Sequence, residues 1–179
     1  MNAYPFPGRE LAMDELRRDV CFLKIPPSDY EKVIDIAWDS GTNAAKEMSF
    51  DFLSKSIGQI AEDSGLRVVR KNSDNVIGGT RYFCDYLTGQ SEIILYLKAV
   101  QLWADQNKLE MQLAENLILA HEYYHFLEYS RIGFTSRKYS VPAIKIGNLS
   151  LGKTGIRAMS EIGAHAFAFV YYNAVKGEH

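Results

Sequence analysis

HEYYH, residues 121–125, lies in a stretch from 109 to 129 whose apolar residues recur at helical spacing, which predicts one long amphipathic helix. Because His121 and His125 are four residues apart, their imidazoles share one face of that helix and can bind one metal ion. Glu122 is near enough to accept a proton from a metal-bound water without being a ligand itself. The motif therefore predicts a Zn²⁺ site with two histidine ligands and Glu122 as the catalytic base.

The third protein ligand has to come from elsewhere in the chain. Metzincin peptidases would have Gly and His where this chain has Glu128 and Arg131, so that class is excluded. A straight helix would carry Glu128 too far along its axis to complete a tetrahedral site with the histidines. Glu161 begins a downstream segment rich in small residues, which allow close helix packing. A Glu from a second helix facing the histidine pair is the gluzincin arrangement, which leaves the fourth position to water.

His165 keeps an alternative open, because it follows Glu161 by about one helical turn and could reach the metal itself. We favour Glu161 as the ligand. His165 is then expected to lie behind the ligands, where it hydrogen-bonds one of them or a transition-state oxygen. A packed helix histidine with no catalytic duty is the other interpretation. The remaining histidine, His179, is the C-terminal residue of the sequence and is uninformative.

The pattern on both sides of the motif predicts helices, then a small sheet, then helices. Ser28 and Glu31 match a capping box that would start a helix ending near Glu47. Residues 130–156 are predicted as loop because of their glycines and a proline. The other predicted elements are a short helix over 9–18, a helix from Ser49 to Gly65, strands over 66–71, 80–87 and 92–97, and helices over 98–106 and 156–174.

This order predicts a single α+β domain over residues 1–179, with its three-stranded sheet covered on one face. A chain of 179 residues can bury a core without disulfides. Cys21 and Cys84 form no CxxC motif and are interpreted as two buried free thiols of a reducing compartment. The net charge of −2 argues against direct nucleic-acid binding. No secretory signal or apolar run of spanning length is present, so we expect a cytoplasmic protein without membrane association.

Three segments of the chain resemble the ImmA/IrrE family of metallopeptidases, in the same order. The first, residues 57–68, is similar to an early helix that ends at a glycine and leads into a strand. The second, residues 119–125, is similar to the zinc helix, Ala-His-Glu-x-x-His in that family. The third, residues 161–168, is similar to its Glu-x-x-Ala-Asn-x-Phe-Ala segment. The resemblance covers about 50–175 and leaves 1–49 as an N-terminal helical extension.

The resemblance implies a zincin-like fold, in which His121, His125 and Glu161 bind zinc and Glu122 is the base. Two positions depart from the family pattern: His165 stands where Asn is usual, and Tyr124 where Gly is usual before the second His. Members of the family often cleave a helix-turn-helix repressor. The chain is therefore expected to be an endopeptidase acting on a specific protein, such as a transcriptional repressor, in an oligomeric state that the sequence leaves open.

The alternative is a catalytically inactive zincin-like module that binds metal or a partner without turnover. The intact Glu122 favours the enzyme. Between Glu128 and Glu161 there are six basic residues and no acidic one. This segment is either a positive surface that steers an acidic partner or a solvated loop without one. We also expect the substrate to add as a strand along an exposed edge formed by residues 92–97.

Overall fold

The computed structural model describes residues 4–147 and 149–177 as a mixture of helices and small sheets. The predicted α+β class is confirmed. The helices are α1 Ala12–Arg17, α2 Tyr30–Glu47, α3 Ser49–Ser54, α4 Ile57–Asp63, α5 Leu97–Asn107, α6 Met111–Leu127 and α7 Ala158–Lys176. The strands are β1 Arg67–Lys71, β2 Val76–Ile77, β3 Thr80–Arg81, β4 Cys84–Leu87, β5 Glu92–Tyr96, β6 Ser140–Ile146 and β7 Leu149–Gly155. No helix of the described part is long and apolar enough to cross a membrane.

α7 is the central helix, and it packs against α2 on one side and α6 on another. Small residues allow these close approaches. A Cβ at Gly41 of α2 would overlap the carbonyl oxygen of Gly163 in α7. A Cβ at Gly163 would in turn lie 2.6 Å from the hydroxyl oxygen of Tyr124 in α6. Glycine at both positions therefore permits a tight three-helix stack in which α6 and α7 face each other closely.

Two apolar clusters make up the core, and α7 contributes to both. The first joins α4, α5, α6 and the three-stranded sheet to the C-terminal half of α7. The second joins α1, α2 and the start of β6 to the N-terminal turns of α7. Fully buried members of the first include Ile57, Leu95, Leu117, Tyr123 and Phe167, and those of the second include Leu16, Val33, Ile156 and Met159.

The main sheet has the order β1-β5-β4, so the prediction that residues 92–97 form an edge is wrong. β5 pairs in parallel with β1 and antiparallel with β4. Residues Glu92 to Leu95 are all buried, because both faces of this strand are covered. A nearly continuous apolar run is typical of such a central strand, and the exposed edges are β1 and β4. The predicted strand over 80–87 is two strands, of which β3 pairs only with β2.

Residues 130–156 are not a loop, which corrects a second prediction. β6 and β7 form an antiparallel hairpin with Val141 opposite Thr154 and Pro142 opposite Lys153. Gly147 at its tip has φ of +57°, a left-handed conformation that suits a tight turn. Proline and glycine are tolerated here because each strand of a two-stranded hairpin has a free edge. A prediction based on these residues therefore missed a regular β-hairpin.

Two predicted helix starts also differ from the structure. Pro27–Asp29 forms a 3₁₀ turn, α2 starts at Tyr30, and the Ser28 hydroxyl donates to Asp29, so the capping box does not form. The helix predicted from Ser49 is two helices, separated where Lys55 is extended. Its working cap is Ser56, whose hydroxyl accepts a hydrogen bond from the backbone N–H of Gln59. Pro27 instead begins the 3₁₀ turn, so Ser28 lies inside that turn and not at the N-cap of α2.

Candidate metal centre

α6 and α7 bring together the three side chains predicted as metal ligands. The distance from His121 Nε2 to Glu161 Oε2 is 3.3 Å, and from His125 Nε2 to Glu161 Oε1 it is 3.6 Å. One donor atom from each of His121, His125 and Glu161 lies within 4.8 Å of the others. The spacing of the histidines on α6 determines one half of this group, and the close packing of Gly163 on Tyr124 brings Glu161 to the other. Two imidazoles and one carboxylate at this separation fit a divalent cation such as zinc.

Glu128 holds His125 in place, a role that the sequence analysis missed. Its carboxylate is buried and receives hydrogen bonds from the backbone N–H of Thr135 at 2.6 Å and the Ser160 hydroxyl at 2.8 Å. It also lies 3.2 Å from His125 Nδ1. A proton on Nδ1 therefore bonds to Glu128, and Nε2, which faces Glu161, is the nitrogen available to a metal ion. The three-residue spacing of His125 and Glu128 is the signal that could have found this pair.

The charges of the group are mutually stabilising. Burial lowers the pKa of His125, but hydrogen bonds to Glu128 and Glu161 outweigh it and raise that pKa to about 10. Burial raises the pKa of the Glu161 carboxyl, yet its bonds with His121 and His125 hold it well below its usual value. Burial also raises the pKa of the Glu128 carboxyl, but its hydrogen bonds, chiefly the one with His125, lower that pKa below its usual value. Without a metal, the carboxylates therefore hold a proton on His125 that a divalent cation would displace.

His165 lies beside His121, with 5.0 Å between the ring centroids, but it is outside the group of three. Burial, and the neighbouring His121 after it, lower the pKa of His165 to about 3. The imidazole is therefore neutral at pH 7. The N-terminal segment covers this side: Phe6 packs on both rings, and the Tyr4 hydroxyl donates to the His165 carbonyl at 2.9 Å.

Contacts from the aromatic packing orient His121. The Phe6 ring is stacked on it at 5.7 Å, and its Nδ1 is buried without a hydrogen-bond partner in the part of the chain that the structure describes. The two histidines are therefore held differently. Glu161 contacts both rings at Nε2, but the Nδ1 side of His125 is held by Glu128, whereas His121 is held on that side by ring packing.

Glu122 is anchored by the edge strand β4. The Cys84 thiol donates to Glu122 Oε1 across 3.1 Å. Burial raises the pKa of this thiol well above its ordinary value, and the charge of Glu122 adds to the effect, so the thiol stays protonated and remains a donor. Cys21 is buried as expected, but Cys84 is only partly buried and contacts the predicted base.

Two open cavities border the candidate metal centre. The larger has a volume of about 430 Å³ and the smaller about 300 Å³, and both are lined by His121, Glu122 and Glu161. The larger extends along Tyr86, Thr88, Tyr129, Phe134, Ser136 and Arg157. The smaller is bounded by Phe6, Tyr82, Phe83, Ile118 and His165. Glu122 therefore lies between the two cavities as a shared wall residue.

No family model, curated protein or solved structure matches the chain. The evidence on function is therefore the geometry of the candidate metal centre.

Proposed function

We propose that this protein is a zinc-dependent endopeptidase of the gluzincin type, with a zincin-like fold related to the ImmA/IrrE family. The observation that carries the proposal is the convergence of His121, His125 and Glu161 within 4.8 Å. Glu122 stands beside this group at the junction of two cavities. Three protein donors with room for a further ligand are typical of catalytic zinc sites, whereas structural sites use four.

The donor set favours zinc over the harder cations. Two imidazoles and one carboxylate suit zinc, whereas magnesium and calcium prefer oxygen ligands throughout. His125 is already oriented for ligation through Nε2 by the bond between its Nδ1 and Glu128. When bound, the zinc ion would polarise the scissile carbonyl and lower the pKa of a water molecule towards about 7.

Glu122 performs the proton transfers. Its carboxylate takes a proton from the attacking water and passes it to the nitrogen of the leaving amine, so that the peptide bond is hydrolysed without a covalent intermediate. The hydrogen bond from Cys84 keeps one carboxylate oxygen in place and leaves the other for the water. Tyr86 lines the larger cavity, and its hydroxyl has no partner among the described residues. We assign it as a donor to the carbonyl oxygen of the substrate.

The edge strand β4 replaces the edge expected from sequence as the place where a substrate backbone pairs. It pairs with β5 on one side only, and it carries both Cys84 and Tyr86. A peptide added along it would lie next to Glu122. By the family resemblance, the substrate is a specific cytoplasmic protein such as a helix-turn-helix repressor.

The experiment that tests the function is Glu122→Gln. Gln is nearly the same size but cannot accept the proton, so zinc content and melting temperature stay native while cleavage slows at least about a hundredfold. Cleavage of a random peptide mixture and of candidate repressors is followed by mass spectrometry. Glu62→Gln, an exposed change on α4, is the matched control and keeps full activity.

Equal cleavage by wild type and Glu122→Gln would remove Glu122 from the mechanism. Zinc binding by both proteins with cleavage by neither would make the chain a catalytically inactive binding or regulatory module instead.

A further inference from the structure

A third cavity continues the larger one away from the candidate metal centre. Its volume is about 480 Å³, and it shares Glu128, Tyr129 and Phe134 with the cavity of about 430 Å³, which is the larger of the two at the metal centre. Its far wall is formed by Arg131, Arg137 and Lys138, and we name it the cationic recess. A chain lying in the larger cavity can therefore extend into the recess without leaving the protein surface.

The recess is positively charged and its cations have no acidic partners. Arg131, Arg137 and Lys138 are exposed, and so is Arg157 on the wall of the larger cavity. None of the four belongs to an ion pair in the part of the chain that the structure describes. The sequence has no acidic residue between Glu128 and Glu161 that could neutralise them. In a chain of net charge −2, this groove is a local positive surface.

The carboxylates that line the recess and the adjoining cavity beside the metal centre are engaged by other groups. Glu128 is buried and accepts hydrogen bonds from Thr135 and Ser160 in addition to its contact with His125. Glu161 is occupied by the two histidines. The exposed cations of the recess are therefore available to pair with an anionic ligand.

The cationic side chains are held along the wall by contacts of their own. The Arg137 guanidinium lies over the Phe134 ring at 4.8 Å, and Lys138 Nζ donates to the Ser40 hydroxyl at 2.8 Å. Tyr129 is 57% exposed and Phe134 39% exposed at the point where the two cavities join. The exposed aromatic rings can pack against apolar side chains of a peptide, and the neighbouring cations can pair with acidic ones. A peptide that alternates the two kinds of side chain therefore suits this surface.

We propose that the cationic recess binds acidic side chains of a polypeptide substrate, on one side of the bond to be cleaved. The assignment rests on the proposed peptidase function. A peptide fits better than a nucleic acid because the groove leads to Glu122 and Glu161. A peptide can place acidic side chains in the recess and neutral ones beside Glu122, whereas a phosphate backbone is charged at every step. Such complementary charge raises association rate and selectivity more than total affinity.

Fluorescence anisotropy with zinc-loaded Glu122→Gln tests the recess without turnover. The probes are two labelled peptides of Gly, Ser and Leu, one with several Glu residues and the other with Gln at the same positions. The Glu peptide is expected to bind at least about threefold more tightly at low salt, and about 0.5 M NaCl should remove the difference. Arg137→Glu/Lys138→Glu is expected to abolish the preference. Lys46→Glu/Lys71→Glu, which makes the same charge change at exposed sites that line none of the three cavities, retains it.

Equal binding of the two peptides, or equal loss of the preference in both double variants, overturns the proposal. So does tighter binding of a single-stranded oligonucleotide than of the Glu peptide. Sequencing the products of the random peptide mixture separates this proposal from the peptidase itself. If peptides are cleaved with no enrichment of Asp or Glu beside the cut, the proposed role of the recess is wrong, but the protein is a peptidase. If the Glu peptide is bound selectively but no peptide is cleaved, the recess binds acidic side chains, but the proposed peptidase function is wrong.

Discussion

At the scale of single residues, the candidate centre depends on what lies at each nitrogen of His125. Glu128 contacts Nδ1 and Glu161 contacts Nε2, so both ring positions are engaged before a metal binds. His165 forms no ion pair with a carboxylate among the described residues, and it is neutral because burial and His121 lower its pKa. Glu161 is thus the anionic member of the group, and His165 serves the neighbouring apolar packing.

Glu161→Ala is expected to lower zinc affinity at least about tenfold, because it removes the only carboxylate of the three-residue group. His165→Asn, the matched change one helical turn away, should leave the affinity nearly unchanged. Competition with a chromogenic chelator measures both. The reverse result would make His165 the ligand and would remove the gluzincin assignment.

At the scale of elements, three helices define how Glu161 meets the histidines. α7 approaches α6 through Gly163 and approaches α2 through the contact of its Gly163 carbonyl with Gly41. Any side chain at either glycine would push α7 away. The same stack that stabilises the fold therefore sets the distance across the candidate metal centre.

Gly41→Ala is expected to destabilise the protein by about 1–3 kcal/mol, because its methyl group would overlap the backbone oxygen of Gly163. Gly58→Ala is the matched control in another helix. The nearest atom to a Cβ there is Arg70 Nη2 at 3.6 Å, an ordinary contact. Since alanine favours a helix over glycine, this control should be neutral or more stable by up to about 1 kcal/mol. The urea unfolding midpoints of both variants are compared with that of the wild type. Equal stability of the two variants would contradict the packing argument.

At the scale of the whole molecule, α7 connects two apolar clusters. Met159 and Ile162 belong to one cluster and Ala164 and Phe167 to the other, and Glu161 lies near the change from one to the other. A metal ion held by α6 and α7 would therefore cross-link the parts of the core that these clusters form. Metal binding and global unfolding should be linked.

Zinc at about one hundred times its Kd is expected to stabilise the native state by about 2.7 kcal/mol. For a chain of this size that corresponds to a rise in melting temperature of roughly 5–10 °C. Differential scanning calorimetry of the metal-free and zinc-loaded protein measures it. His125→Ala should show almost no rise, and an equal rise in that variant would mean that zinc binds elsewhere.

Features that lie within one helix or strand could be predicted from the amino-acid sequence. The spacing of His121 and His125 placed both on one face of α6, because helix geometry relates residues four apart whatever surrounds them. The α+β order, and the positions of α2, β1, β5 and α7 to within a few residues, followed from the same local periodicity.

Which elements become neighbours depends on the folded chain as a whole. The fold makes β5 central, pairs β6 with β7, sets Cys84 against Glu122 and encloses Glu128 with Thr135 and Ser160. Each of these contacts joins segments, or a segment and a turn, whose approach depends on the packing of the whole core. Local sequence determines which face of an element is apolar. The partner that covers this face is selected by the total burial that the folded chain can achieve.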